Sequence, residues 1–219
     1  IPMFILAGDL MAQGKVSEKL VSFADSLVGF MRGGLSVVSV MAGMFFAAIS
    51  GSGAATTAAV GSSLVPELKR KGYDPASAAS LIAASGTIGV VIPPSVPMII
   101  YAVIAQQSVS KLFLNGFLPG LAMGLGLMAI AIAQAYKRQY PKGTPLSLAT
   151  IWTTFKDASW GLMTPVIILG GIFSGIFTPS EAAVVAVNYA MLVSLFVYRD
   201  LNLPQIYKLL IRSAMTTAV

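Results

Sequence analysis

GGLSVVSVMAGMFFAAISGSGAATTAAVGSSLVP, residues 33–66, is the stretch on which the reading of this chain turns. It carries no charged side chain, and its 34 residues are too many for one bilayer crossing, which takes about 20 apolar residues. Its middle, Ser50-Gly51-Ser52-Gly53, is a run of small residues that interrupts a helix. Each half then makes roughly 20–25 Å of helix, short of a hydrocarbon core about 30 Å thick. Arg32 stands at one end, and Lys69-Arg70-Lys71 lies just past the other. Basic flanks on both sides place both ends on the cytoplasmic face. The geometry that fits is a re-entrant helical hairpin over 34–70, in along 34–49, turning at Ser50–Gly53 and returning along 54–70. Such a turn is tolerated at membrane depth only where protein covers it or water lines it.

The next uncharged run, 75–110, is interrupted too, by Gly86-Thr87-Ile88-Gly89 and then Ile92-Pro93-Pro94-Ser95. One of its ends is strongly basic and the other has only Lys111, so it reads as a single crossing by a discontinuous helix over 75–106. Pro93 and Pro94 have no amide proton, and inside a helix they would leave the carbonyls of Gly89 and Val90 without partners.

Composition agrees with a membrane solvent. Hydrophobic residues make up 56% of the 219, charged residues 10%, and mean hydropathy is +0.83. Twenty-two charged side chains cannot cover a soluble chain of this size, where about a quarter of residues are normally charged. The expected class is an all-α integral membrane protein. There is no His and no Cys, which excludes thiol catalysis, imidazole relays, zinc sites and disulfides. No carboxylate pair shares the apolar interior, so no enzyme is expected. The net charge of +6 is accounted for by basic cytoplasmic loops, without nucleic acid as a partner.

Charge placement orders the rest. Residues 112–136, 158–177 and 180–198 read as single spans. With 14–32, 67–74, 137–157 and 199–212 inside, thirteen of the fourteen Lys and Arg fall on one side, leaving only Lys111 outside. That division organises the chain as a helix end (1–13), an amphipathic interfacial helix (14–33), the hairpin (34–70) and the discontinuous helix (75–106). A span (112–136), a cytoplasmic loop with an interfacial helix (137–159), two spans (160–198) and the start of another helix (204–219) follow. In the first interfacial helix, Val16, Leu20, Phe23, Ala24, Leu27 and Met31 recur at helical spacing opposite Lys15, Glu18, Lys19 and Asp25, the pattern of a helix lying in the membrane surface. Trp152, Phe155 and Trp160 are the expected interface anchors of the second. The chain opens and closes inside apolar segments, so it is expected to be an internal piece of a longer protein, with a second hairpin and a second interrupted helix downstream.

The chemistry-bearing candidates are the two interruptions. Hydroxyls and freed carbonyls at Ser50–Gly53, with Thr56 and Thr57 beyond, are hard oxygen donors suited to an alkali cation. The helix that starts near Ala54 points its N-terminus at the same place, which suits an anion. Two interrupted helices in one short stretch are the sequence pointer to a midplane transport site. The structural alternatives are a tight turn with small-residue packing and a plain proline kink. Gly116, Gly120 and Gly124 read as a packing seam. Thr178-Pro179-Ser180-Glu181 reads as a capping box, and Asp74-Pro75 as a cap with proline at the first helical position. Lys69-Arg70-Lys71 is a topology signal before it is an anionic-lipid site.

Five ordered stretches, Ile1-Pro2-Met3-Phe4-Ile5-Leu6-Ala7-Gly8, Ala48-Ile49-Ser50-Gly51-Ser52-Gly53, Lys71-Gly72-Tyr73-Asp74-Pro75, Gly86–Ser95 and Gly175-Ile176-Phe177-Thr178-Pro179-Ser180-Glu181-Ala182-Ala183, carry a family resemblance. The chain resembles the large, DctM-like membrane subunit of tripartite ATP-independent periplasmic (TRAP) transporters. The resemblance implies an elevator-type fold with inverted repeats, of which this would be the first and the start of the second. It implies sodium-coupled import of small organic acids, such as dicarboxylates or sialic acid, across the bacterial inner membrane. The partners implied are a periplasmic substrate-binding protein, a small membrane subunit and the lipid bilayer, with no cofactor beyond Na+ as coupling ion. Residues 1–13 would end a scaffold helix and 14–33 would be the arm joining scaffold to moving part. Carried over, a sodium site would lie between Ser50, Gly51, Ser52 and Gly53 at the tip and Gly86, Thr87 and Gly89 in the break. Thr56, Pro93, Pro94 and Ser95 would stand nearby. A stand-alone secondary anion transporter of related fold, and a channel or non-transporting scaffold, are the competing readings.

Overall fold

A computed structural model describes residues 2–13, 15–143 and 145–218. The described residues form helices and contain no strand: α1 (Pro2–Gln13), α2 (Lys15–Val28), α3 (Gly34–Ser50), α4 (Gly53–Arg70), α5 (Pro75–Thr87), α6 (Val96–Ile104), α7 (Val109–Lys137), α8 (Leu148–Phe173), α9 (Pro179–Leu192) and α10 (Leu203–Ala218). A 3-10 turn, Ile88–Val90, extends α5, and a π-helical turn, Val193–Val197, extends α9.

The hairpin of α3 and α4 occupies the centre. α3 is apolar around most of its circumference, as a fully enclosed helix must be, and it packs against α1, α2, α4, α5, α7 and α8. It ends on Gly51 in the left-handed region (φ 61°), whose amide donates to the Ala47 carbonyl. Ser52 is extended (φ −134°, ψ 126°) and caps α4, its hydroxyl accepting from the Ala55 amide. Two residues thus reverse the chain, because glycine takes the left-handed turn without a Cβ penalty and serine supplies the cap.

α5 begins on the Asp74 cap, which accepts from the Ser77 amide at 2.9 Å and the Ser77 hydroxyl at 2.8 Å, with Pro75 in the first turn. Arg138, just past α7, reaches the same carboxylate at 3.3 Å. At α9 the capping box is complete: Glu181 accepts from the Thr178 amide and hydroxyl, and Thr178 accepts from the Glu181 amide. Gly116, Gly120 and Gly124 of α7 form a seam against Val91, Ile92 and Met44; a Cβ on Gly116 would stand 2.8 Å from the Val91 carbonyl oxygen.

Two expectations change. The stripe of α2 does not face lipid: Val16, Leu20, Phe23 and Ala24 are buried, and α2 packs against α3 and α8, with Phe23 stacked on Phe45 and tilted against Phe155. Protein covers it instead. The loop-plus-interfacial helix and the span after it are not separate, because α8 runs unbroken from Leu148 to Phe173. Its charge-free part begins only after Asp157, leaving fewer residues than one crossing needs. α7 and Pro179–Val197 are long and apolar enough to cross a membrane, and Pro2–Ala12, Gly34–Ser50 and Pro75–Val90 are shorter apolar helices.

Gly51→Ala is expected to destabilise the protein by more than the ~1–2 kcal/mol of a left-handed non-glycine residue, because its Cβ would also meet the Pro94 carbonyl oxygen at 2.5 Å. Gly72→Ala, at φ 81° with open space around it, bears the conformational term alone. Thermal unfolding of the two variants of the detergent-solubilised protein should therefore rank Gly51→Ala well below Gly72→Ala; equal losses would exclude the tip contact.

The bonds from the Ser77 hydroxyl and amide, with Arg138 behind them, hold the Asp74 carboxyl below its usual range. A depressed folded-state pKa contributes stability above the unfolded value near 4 and loses it as pH falls through the folded value. The gap in melting temperature between the native protein and Asp74→Ala should hold at pH values well above the unfolded value near 4 and narrow as pH falls below it.

Candidate functional site

At the hairpin tip the Ser52 carbonyl gathers three donors: the Thr56 amide at 3.0 Å, the Thr56 hydroxyl at 2.8 Å and the Ser50 hydroxyl at 3.2 Å. The Ser50 and Thr56 hydroxyls lie 2.9 Å apart, and both side chains are buried. Onto this cluster comes the break. A methyl group on Gly89 would sit 2.6 Å from the Thr56 hydroxyl oxygen and 2.9 Å from the Ser52 carbonyl oxygen. Gly53 and Gly86 face each other as closely: a Cβ on either would stand 3.0–3.1 Å from the other's carbonyl oxygen. The Val96 amide, at the start of α6, donates to the Gly51 carbonyl at 3.1 Å.

Within the break, Pro93 and Pro94 are buried and joined by a cis peptide. The Val90 carbonyl, which a helical Pro94 would have left alone, accepts from the Ser95 hydroxyl at 2.7 Å, and Ser95 in turn caps α6. Of the eleven residues singled out from the sequence, Ser50, Gly51, Ser52, Gly53, Thr56, Gly86, Gly89, Pro94 and Ser95 converge here. Pro93 lies in the same buried turn. Thr87 does not join them: its side chain is exposed and its hydroxyl donates to the Ala84 carbonyl of its own helix at 2.7 Å.

A cavity of about 490 Å³ opens beside the tip, lined by Ser50–Ala55 and Ala58, by Val90, Val96 and Pro97 around the start of α6, by Ile5 and Asp9 of α1, and by Arg212 of α10. A second, of about 380 Å³, shares Asp9, Ala55, Ala58 and Arg212 with it. The amino-terminal turns of α4 and α6 therefore reach one space, together with a guanidinium. Dipole ends and a cation make a setting for an anion, while the buried hydroxyls offer neutral oxygens to a hard cation. Among the described residues no three His, Cys, Asp or Glu side chains group as metal ligands. The Ser50 and Thr56 oxygens fit an alkali ion because each hydroxyl keeps a spare lone pair.

Two residues at this site, Gly8 and Arg212, escape a sequence reading, and a third, Asp9, reads there equally as an intramembrane carboxylate with a function and as a helix-end residue. Gly8 of α1 lies against Ser50, since a Cβ there would be 3.0 Å from the Ser50 Cα and carbonyl oxygen. Asp9 is half-buried in α1 and accepts from the Ser213 hydroxyl at 2.8 Å, which ties α1 to α10. Arg212 counts in sequence only as one more cytoplasmic charge. Nothing in local spacing links positions 8–9 with 212–213.

A family model described as "Tripartite ATP-independent periplasmic transporter, DctM component" matches residues 1–219. The chain is 46% identical over 217 residues to the C4-dicarboxylate TRAP transporter large permease protein DctM of Pseudomonas aeruginosa, covering 99% of this chain and 51% of that protein. It is 43% identical to the 2,3-diketo-L-gulonate TRAP transporter large permease protein YiaN of Escherichia coli, over all of this chain and 52% of the relative. It is 39% identical to the sialic acid TRAP transporter permease protein SiaT of Haemophilus influenzae, over all of this chain and 36% of that one. The chain thus spans about half the length, or less, of the relatives it matches. Those relatives are transporter permeases and not enzymes. With a family model running over the whole chain, including both interruptions and the capped α9, the chain belongs to the DctM component of the tripartite ATP-independent periplasmic transporters.

Proposed function

We propose that this chain is an internal piece, the first repeat and the start of the second, of a sodium-coupled importer of small organic acids in the bacterial inner membrane. A periplasmic binding protein delivers the acid, and a small membrane subunit braces the permease. The relatives' names support this substrate class, since C4-dicarboxylate, 2,3-diketo-L-gulonate and sialic acid are all small carboxylates.

The observation that carries the reading is the contact of the hairpin tip with the helix break through Ser52, Thr56 and Gly89. In the proposed mechanism α3 and α4 are a re-entrant hairpin, and Na+ binds the Ser50 and Thr56 hydroxyl oxygens with carbonyls of the tip and the break. Neutral donors avoid placing a carboxylate at the bilayer centre, which costs about 2.5–3.5 kcal/mol on insertion scales. The acid's carboxylate then binds in the adjoining cavity, facing the starts of α4 and α6 and Arg212. Cation and anion attract each other across the tip, so each raises the other's affinity by the same factor. The hairpin, with α5 and α6, carries both past α1 and α10 in an elevator movement.

Thr56→Val in the full-length transporter, reconstituted with its partners in proteoliposomes, removes one buried oxygen worth about 1–3 kcal/mol. Half-saturating sodium for uptake should rise on the order of tenfold, while Thr87→Val stays close to the native protein. Unchanged sodium dependence in Thr56→Val, with normal thermal stability, would exclude the cation site proposed here. Titration calorimetry should show sodium tightening substrate binding and substrate tightening sodium binding by one common factor; independent affinities would exclude the coupling.

A further inference from the structure

At the carboxyl end of α7, away from the hairpin tip, the chain builds a further charged cavity. The linker after α2 and the segment after α7 pair as a short antiparallel clip: Arg32 bridges Lys142, the Gly33 amide donates to the Pro141 carbonyl at 3.0 Å, and the Gly143 amide donates to the Met31 carbonyl at 3.4 Å. The Arg32 Nε also donates to the Tyr140 carbonyl at 3.2 Å, which fixes the base of that guanidinium. Two cations are thereby held opposite each other, an arrangement that repels. Among the described residues neither makes an ion pair, and no carboxylate lines the cavity of about 590 Å³ between them. Arg70, Lys71 and Arg138 are differently placed. Arg70 and Lys71 are matched by Glu67, at 3.6 and 3.5 Å, and Arg138 is matched by Asp74.

The rest of the lining is apolar or aromatic: Phe30, Met31, Ile132 and Tyr136. Phe30 and Tyr136 are 42% and 62% exposed, so the cavity opens onto an apolar surface instead of into the protein. That surface continues along α7. Leu114, Leu118, Leu121 and Leu125 are all exposed and recur at alternating steps of four and three, the same face on which Ile132 and Tyr136 lie. α7 is long and apolar enough to cross a membrane, and its basic end is the cytoplasmic one.

We infer that this cavity binds the headgroup of an anionic phospholipid of the cytoplasmic leaflet, with Arg32 and Lys142 on the phosphate and an acyl chain along the α7 stripe. A phosphodiester supplies the counter-charge the two cations lack, and an apolar floor leading to a lipid-facing stripe suits a lipid better than a free oxyanion. Tyr136 stands where amphipathic rings concentrate, at the level of the headgroups.

Full-length permease in nanodiscs of phosphatidylcholine with a minor fraction of phosphatidylglycerol, examined by native mass spectrometry, tests the assignment. The native protein should retain phosphatidylglycerol in preference to phosphatidylcholine. The Arg32→Gln/Lys142→Gln double variant should lose that preference, its retention falling roughly thirtyfold. Because Arg32 also holds the Tyr140 carbonyl, Lys142→Glu alone is the second variant; its exposed side chain makes no such contact, and charge reversal should expel the lipid without unfolding the clip. Lys111→Gln, at the opposite end of α7, should retain the lipid as the native protein does. Native-like phosphatidylglycerol retention by a folded Lys142→Glu protein would overturn the proposal. So would displacement of the lipid by inorganic phosphate as readily as by phosphatidylglycerol itself.

Discussion

The approach of the α3–α4 turn to the α5–α6 break is the constraint on which the rest depends. The two backbones approach closely there: Gly53 against Gly86, Gly89 against the Ser52 carbonyl and the Thr56 hydroxyl, and the Gly51 carbonyl on the Val96 amide. In an apolar interior a freed amide or carbonyl costs roughly 1–3 kcal/mol if left unpaired, so two interrupted helices are stable only if they satisfy each other. They do so reciprocally. Ser95 takes up the Val90 carbonyl, Val96 takes up that of Gly51, and the hydroxyls of Ser50 and Thr56 close around that of Ser52. The glycines are a packing requirement before they are anything else, which unites the two meanings that small residues at these positions allow.

That unity explains what was legible in the sequence. The turn at Gly51-Ser52 and the break at Pro93-Pro94 stand out because glycine, serine and proline are out of place in long uncharged runs, and their local geometry follows from intrinsic preferences. The caps at Asp74 and Thr178 are legible for the same reason, being defined within four residues. Thr87 is the instructive departure. Composition cannot tell Thr87 from Thr56, since both are threonines next to a glycine-rich interruption. Only the helical phase decides: Thr56 sits one turn after Ser52 and looks back at it, whereas Thr87 looks outward and bonds its own helix.

Other features were illegible because they are made by distant segments. An amphipathic stripe states that a helix has an apolar side, not what covers it, so α2 reads as a surface helix although α3 and α8 enclose it. Charge counting treats Arg32, Lys142 and Arg212 as equivalent markers of the cytoplasmic face, yet their neighbours differ. Arg212 shares a cavity with the hairpin tip and Asp9, while Arg32 and Lys142 are clipped together over an apolar floor. Positive charge is thus put to separate uses by contacts more than a hundred residues apart.

The contacts around the tip also differ in kind, and the difference bears on the proposed movement. Toward α5 and α6 the tip is interlocked, with a main-chain hydrogen bond and glycines pressed against carbonyls, so sliding there would break bonds and open voids. Toward α1, Gly8 lies on the Ser50 main chain, and among the described residues no hydrogen bond joins α1 to the tip. The Asp9 carboxylate is instead turned to Ser213, joining α1 to α10. The hydrogen bonds named above thus tie α3 to α6 on one side and α1 to α10 on the other, and a cavity lined by both groups opens between them. A site that has to travel between two faces of a membrane without falling apart needs that partition, because a part can move as a rigid body only where the bonds it would break are few.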